Sequence, residues 1–177
     1  MDADDRLTYS MKGSSPQGEE DTLPACRVLA LHLRQQDPSW DEAQSVSGRP
    51  DLDCVIPRKD GAPSLNVQVV RAVVDQNLWR SLNSSGGVTD SLAASCAAGL
   101  LRAAIEQKAT DRKIPKRDRG GITLALDARR IAGLTFDSVI ECFVNDHGKW
   151  ASQLGFKAIW LIGPVHELVK RLDGKSS

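Results

Sequence analysis

An excess of charge of either sign is what this sequence most plainly lacks. Its 23 lysines and arginines balance 23 aspartates and glutamates, so no global field recommends nucleic acid as a partner, and any charged binding surface must be local. Also missing are a run of about 20 apolar residues and a secretory leader, which leads to the expectation of a soluble protein in a reducing cytoplasm with no membrane partner. Cys26, Cys54, Cys96 and Cys142 form no CxxC and no Cys/His pairing at zinc spacing. Dispersed through predicted helices and strands, they read as buried thiols. His32, His147 and His166 lie far apart in the chain and share no catalytic spacing, which leaves a Ser/His/Asp or Cys/His nucleophile unsupported. Gly86-Gly87 lacks the lysine that follows in a phosphate-cradling loop. No internal repeat is visible.

What is present suits one domain. A chain of 177 residues with 41% hydrophobic content can bury a proper core. Residues 1–20 are polar, acidic and interrupted by Gly, Ser and Pro, and read as a flexible acidic arm ahead of a single domain over 21–177. Asp21-Thr22-Leu23-Pro24 looks like a helix start, and Cys26, Leu29, Ala30 and Leu33 recur at helical spacing to about Gln36. Pro38 to Gly48 is a connector with room for a short strand. Asn83 to Gly87 reads as a loop. A helix follows from Thr89 or Asp90, rich in small residues through Ile105, which permits close approach to a sheet. Strands are predicted over Gly121–Asp127 and Lys157–Gly163, a helix over Phe136–Leu154 with a break at Gly148, and a closing helix over Val165–Leu172. The order is α/β with a mixed central sheet, an antiparallel hairpin plus parallel strands, flanked by helices.

The hairpin carries the polar groups of interest. Pro50 to Ile56 and Leu65 to Arg71 read as its strands, joined by a connector with Asp60-Gly61 between two prolines. Alternation puts Asp51 and Asp53 on one face with Val55, Asn66 and Gln68 on one face with Val70, and Leu65, Val67 and Val69 on the other. A register centred between Asp60 and Gly61 sets Asp53 opposite Gln68.

Pro50-Asp51 followed by Asn66-Val67-Gln68 resembles the core of the PD-(D/E)XK, or restriction endonuclease-like, superfamily, where a Pro-Asp opens one strand and an acidic-x-Lys triplet sits on the next. The order of elements from about residue 19 to residue 163 is similar as well. The sequence departs from that pattern in having neutral Asn66 for the second acid and Gln68 for the lysine. The resemblance implies a Mg²⁺-dependent hydrolase of nucleic-acid phosphodiesters, with Asp51, Asp53 and Glu20 as metal ligands and Asp51, Asn66, Gln68 and Lys108 in the reaction centre. Lys108 emerges from the sheet-facing stripe of its helix, and in some members of the family the catalytic cation has moved to that helix. Arg71, Lys113, Lys116 and Arg117 are the candidate phosphate contacts, the last three within a stretch from Lys108 to Arg119 that carries six bases against two acids. Each residue also has an ordinary reading, as a solvated strand end, a hairpin's polar side, a snorkelling lysine or a loop kept in water by its charge. The neutral triplet keeps a second class open, a catalytically inactive module that binds nucleic acid or a protein partner.

Overall fold

The computed structural model describes residues 17–71, 91–110, 112–129 and 133–174. Helix α1 spans Gln17–Gln36, followed by strands β1 (Gln44–Ser45), β2 (Cys54–Ile56) and β3 (Leu65–Arg71). Helix α2 (Ser91–Lys108), strand β4 (Ile122–Asp127), helix α3 (Gly133–Gln153) and strands β5 (Ala158–Ile162) and β6 (Val169–Arg171) complete the order. All six strands form one sheet in chain order. β2 runs antiparallel to both of its neighbours, β1 and β3, while β3, β4 and β5 run parallel, and β6 returns antiparallel to β5. The fold is therefore α/β with a mixed sheet flanked by helices.

Side-chain periodicity decides which face each element covers. Residues 25, 26, 29, 30 and 33 of α1 form one stripe, which packs on Cys54, Ile56, Leu65, Val67, Val69, Ala125 and Trp160. Ala94, Ala97, Ala98, Leu101 and Ile105 of α2, with Phe136, Val139 and Phe143 of α3, cover the opposite face over Val70, Leu124, Leu126, Ile159 and Leu161. Both crossover helices lie on this second face, as two successive crossovers of one hand in the same direction require. Clad on both sides, β4 and β5 are buried almost throughout.

Several expectations are corrected. Helix α1 begins at Gln17 rather than at the capping signal near Asp21, so Pro24 sits inside it and, lacking an N–H, leaves one helical carbonyl without its donor. Strand β2 covers only Cys54–Ile56, because a turn with Leu52 N–H donating to Arg49 C=O (3.1 Å) occupies the start of the predicted strand. Helix α3 runs unbroken through Gly148. Residues 165–172 form a short 3₁₀ turn and β6 in place of a closing helix. A helix there would leave the edge of β5 bare, whereas Val169 buries its side chain by pairing with Ile162. The predicted loop at Asn83–Gly87 lies outside the described residues. Cys26 and Cys54 are buried but joined in a disulfide, while Cys96 is an exposed and Cys142 a half-buried thiol, which corrects the reading of four buried thiols. Among the described residues no helix is long and apolar enough to cross a membrane.

Gly163 closes the turn after β5, its N–H donating to Leu168 C=O (2.7 Å). A Cβ at this position would lie 2.5 Å from that same oxygen and 3.1 Å from the Phe136 ring. Gly163→Ala is expected to destabilise by about 1–3 kcal/mol, the range for overpacking a filled core, as read by urea unfolding.

Candidate functional site

The site begins with a strand that stops early. Cys54 pairs with Val67 and Val55 with Asn66, a register centred between Asp60 and Gly61 that ends at Cys54 and leaves Asp53 beside Val67 and Gln68. Asp53 N–H donates to Val67 C=O (2.9 Å). Two residues along β3, the N–H of Val69 points the same way, past the end of β2, where the ladder supplies no backbone acceptor. The Asp53 carboxylate fills that role: its Oδ2 accepts from Val69 N–H (2.6 Å) and from Gln68 Nε2 (2.6 Å). Gln68 is 6% exposed and lies on the face covered by α2.

Lys108, the last residue of α2, reaches this carboxylate electrostatically. Burial pushes the Asp53 pKa above the ordinary carboxylate value, opposed by the Val69 hydrogen bond, the charge of Lys108, the Gln68 hydrogen bond and the charge of Arg71. Burial likewise lowers Lys108, helped by the like charge of Lys113 and opposed by Asp53. The charge of each group thus offsets part of the desolvation of the other, and burial remains the larger influence on both. A half-buried carboxylate fixed by two donors, beside a half-buried ammonium, can take up a cation on its remaining oxygen and a phosphate beside the lysine.

The other sequence candidates lie around this cluster or apart from it. Asp51 sits in the turn before β2, bound by Arg49 Nη2 (2.8 Å), and that hydrogen bond holds its carboxyl below the usual carboxylate range. Alternation does not extend to it, because Leu52 turns its side chain into the α2 core while Cys54 faces α1. Asp51 and Asp53 therefore do not share a strand face. Asn66 donates its amide to Gly121 C=O (3.4 Å), tying β3 to the start of β4. Arg71 ends β3, exposed, in register with Asp127 of β4. Lys113 lies in the turn after α2, and Lys116 and Arg117 are exposed on the 3₁₀ helix that follows. Glu106 pairs with Arg102 one turn back along α2 (2.9 Å). Glu20 falls within α1, but its side chain lies outside the described residues. Among the described residues, no three His, Cys, Asp or Glu side chains gather as a metal-ligating group.

Two features near the site escape sequence reasoning. The Cys26–Cys54 bond ties α1 to the residue directly after Asp53. Arg119, counted in the sequence as part of a solvated basic run, is 5% exposed and donates to the carbonyls of Ala109 (2.7 Å), Ile114 (3.0 Å) and Leu154 (3.2 Å). Its guanidinium also lies over the Phe156 ring. No family model, no curated protein and no solved structure matches the chain.

Proposed function

We propose that the chain is a restriction endonuclease-like domain that acts on nucleic-acid phosphodiesters, with Asp53, Gln68 and Lys108 at its centre. The observation that carries this reading is the hydrogen bond from Gln68 to Asp53 across the hairpin, with Lys108 brought up from the following helix. The element order α1, β2–β3 hairpin, α2, parallel β4 supports it. In this arrangement Asp53, rather than Asp51, is the principal acid.

The donor set suits a magnesium ion held mainly by substrate and water, since Mg²⁺ is commonly bound through one or two carboxylates plus phosphate oxygens. Asp53 would hold it through the oxygen not used by Gln68 and Val69, and the ion when bound lowers the pKa of a coordinated water and polarises the phosphate. Gln68 fixes the Asp53 carboxylate through Nε2 and is assigned, through its amide oxygen, to orienting a water. Lys108 offsets negative charge on the phosphate, and Lys113, Lys116, Arg117 and Arg71 track the flanking backbone.

The test is cleavage of single-stranded, duplex and branched DNA and of RNA with Mg²⁺ or Mn²⁺, alongside a melting curve with and without metal. Cleavage lost in Lys108→Gln, and a metal-dependent rise in melting temperature that fades as pH is lowered toward the raised pKa of Asp53, are the expected results. A second reading, an inactive module that binds nucleic acid, is favoured by the engagement of Asp51 with Arg49 and of Asn66 with Gly121, which leaves Asp53 without a second described acid. Binding of the same nucleic acids with no cleavage in either metal would select it.

A further inference from the structure

We propose that the Cys26–Cys54 pair is a thiol–disulfide switch that sets whether Asp53 is held in the site. The inference rests on Asp53 being the central acid of the reading above, but it is tested without reference to cleavage.

Cys54 is the first residue of β2 and directly follows Asp53, so its position fixes where that carboxylate starts. Its side chain faces α1, where Cys26 meets it, and both are completely buried. The packing around them is close: Ala25, Leu29, Ile56, Val67 and Val69 belong to the same core. Two thiol sulfurs in contact need more room than two bonded ones, and a filled core supplies none without movement. The element that can yield is β2. It has three residues, its outer neighbour β1 has two, and the Val46 N–H bond to Asp53 C=O is long at 3.4 Å. On the other side α1 runs for 20 residues and packs across the whole sheet.

Reduction therefore acts on the site through a short lever. A dithiol gives up two electrons and two protons, the Cys26–Cys54 bond becomes two thiols, and the dithiol leaves as its own disulfide. Because both sulfurs are buried, exchange waits on local opening of α1 from the sheet and is slow. In the reduced form β2 moves outward, Asp53 moves with it, and the N–H of Val69 loses its acceptor.

The amide of Val69 reports this directly. Hydrogen exchange is measured on the full chain oxidised, reduced with dithiothreitol and reoxidised, with the state of Cys26 and Cys54 read by alkylation and peptide mass. Reduction should lower Val69 protection at least tenfold while Leu124 and Leu161 in the sheet centre keep theirs, and reoxidation should restore it. Cys26→Ala/Cys54→Ala removes both sulfurs and so the crowding. It should keep Val69 protected and make that protection insensitive to dithiothreitol. Equal Val69 protection in the oxidised and reduced forms would overturn the proposal. So would protection lost across the whole sheet in both the reduced form and the double variant, which describes a staple and not a switch. Free thiols at both positions in protein kept under air would do the same. An absence of nuclease activity leaves these readouts intact, so it bears on the proposed function alone.

Discussion

Arg119→Ala is expected to lower stability by about 3–5 kcal/mol, the cost of removing a buried charged donor and leaving its partners unpaired. The reason lies in where its three acceptors come from. Ala109 follows the end of α2, Ile114 belongs to the turn beyond it, and Leu154 follows the end of α3. The last carbonyls of a helix have no internal partner, and one guanidinium satisfies such groups beside two helices at once. Its own 3₁₀ helix leads into β4, so the side chain also fixes how that strand enters the sheet. Alanine would take this donor from three carbonyls, the Ile114 bond being buried and the other two partly so, and remove the contact with Phe156. For a chain of this size the melting temperature should fall by roughly 6–20 °C. Arg119→Lys should recover only part of the loss, because an ammonium cannot present the planar fork that meets three acceptors in different directions. A lysine variant as stable as the wild type in calorimetry would show that the charge matters and the geometry does not.

Asp53→Asn is expected to separate function from stability. The asparagine oxygen can take the place of Oδ2 and keep both the Val69 and Gln68 hydrogen bonds, while the negative charge disappears. If Asp53 holds a metal, the lost charge stabilisation is several kcal/mol, so cleavage should fall on the order of a hundredfold or more. Stability should follow a different course. The folded-state pKa of Asp53 is raised chiefly by burial, so the native state binds this proton more tightly than the unfolded chain does. Protonation then favours folding: the contribution is fully present below the unfolded value near 3.9 and is lost as pH rises through the folded value. At neutral pH the wild type bears the cost of a desolvated carboxylate that the variant does not. The variant should therefore melt no lower than the wild type at pH 7.5, and its relative advantage should shrink as the solution is acidified. Lys108, losing its counter-charge, should titrate lower still in the variant. An Asp53→Asn protein that is fully active, or one that unfolds at neutral pH, would remove the case for Asp53 as a functional acid.

How far this arrangement can be read in the chain depends on how local its causes are. The Asp60-Gly61 turn between two prolines fixes a register within a dozen residues, and the alternation of Leu65, Val67 and Val69 fixes the face, so the meeting of Asp53 with Gln68 follows from short-range rules. Lys108 was legible for the same reason, being one more step on a helical stripe that includes Leu101 and Ile105. Asp51 was not, since nothing local announces that Leu52 will turn into the far core and end the alternation. The closing helix failed because an eight-residue apolar pattern serves either period, and the bare edge of β5 decided between them. The Cys26–Cys54 bond was invisible because its two ends lie 28 residues apart and meet only in the completed fold, and Arg119 because no residue pattern announces a side chain that turns back onto the carbonyls of Ala109 and Ile114 and reaches Leu154.

The strands stand in the sheet in the order in which they occur in the chain. No strand has to be wedged between two that are already joined, so the sheet can grow outward from β3, β4 and β5 by adding one neighbour at a time at an open side. The β2–β3 hairpin closes within about a dozen residues, whereas Asn66 meets Ile122 only across 56 residues (66 to 122), so the parallel β3–β4 pairing is expected to set the pace of assembly.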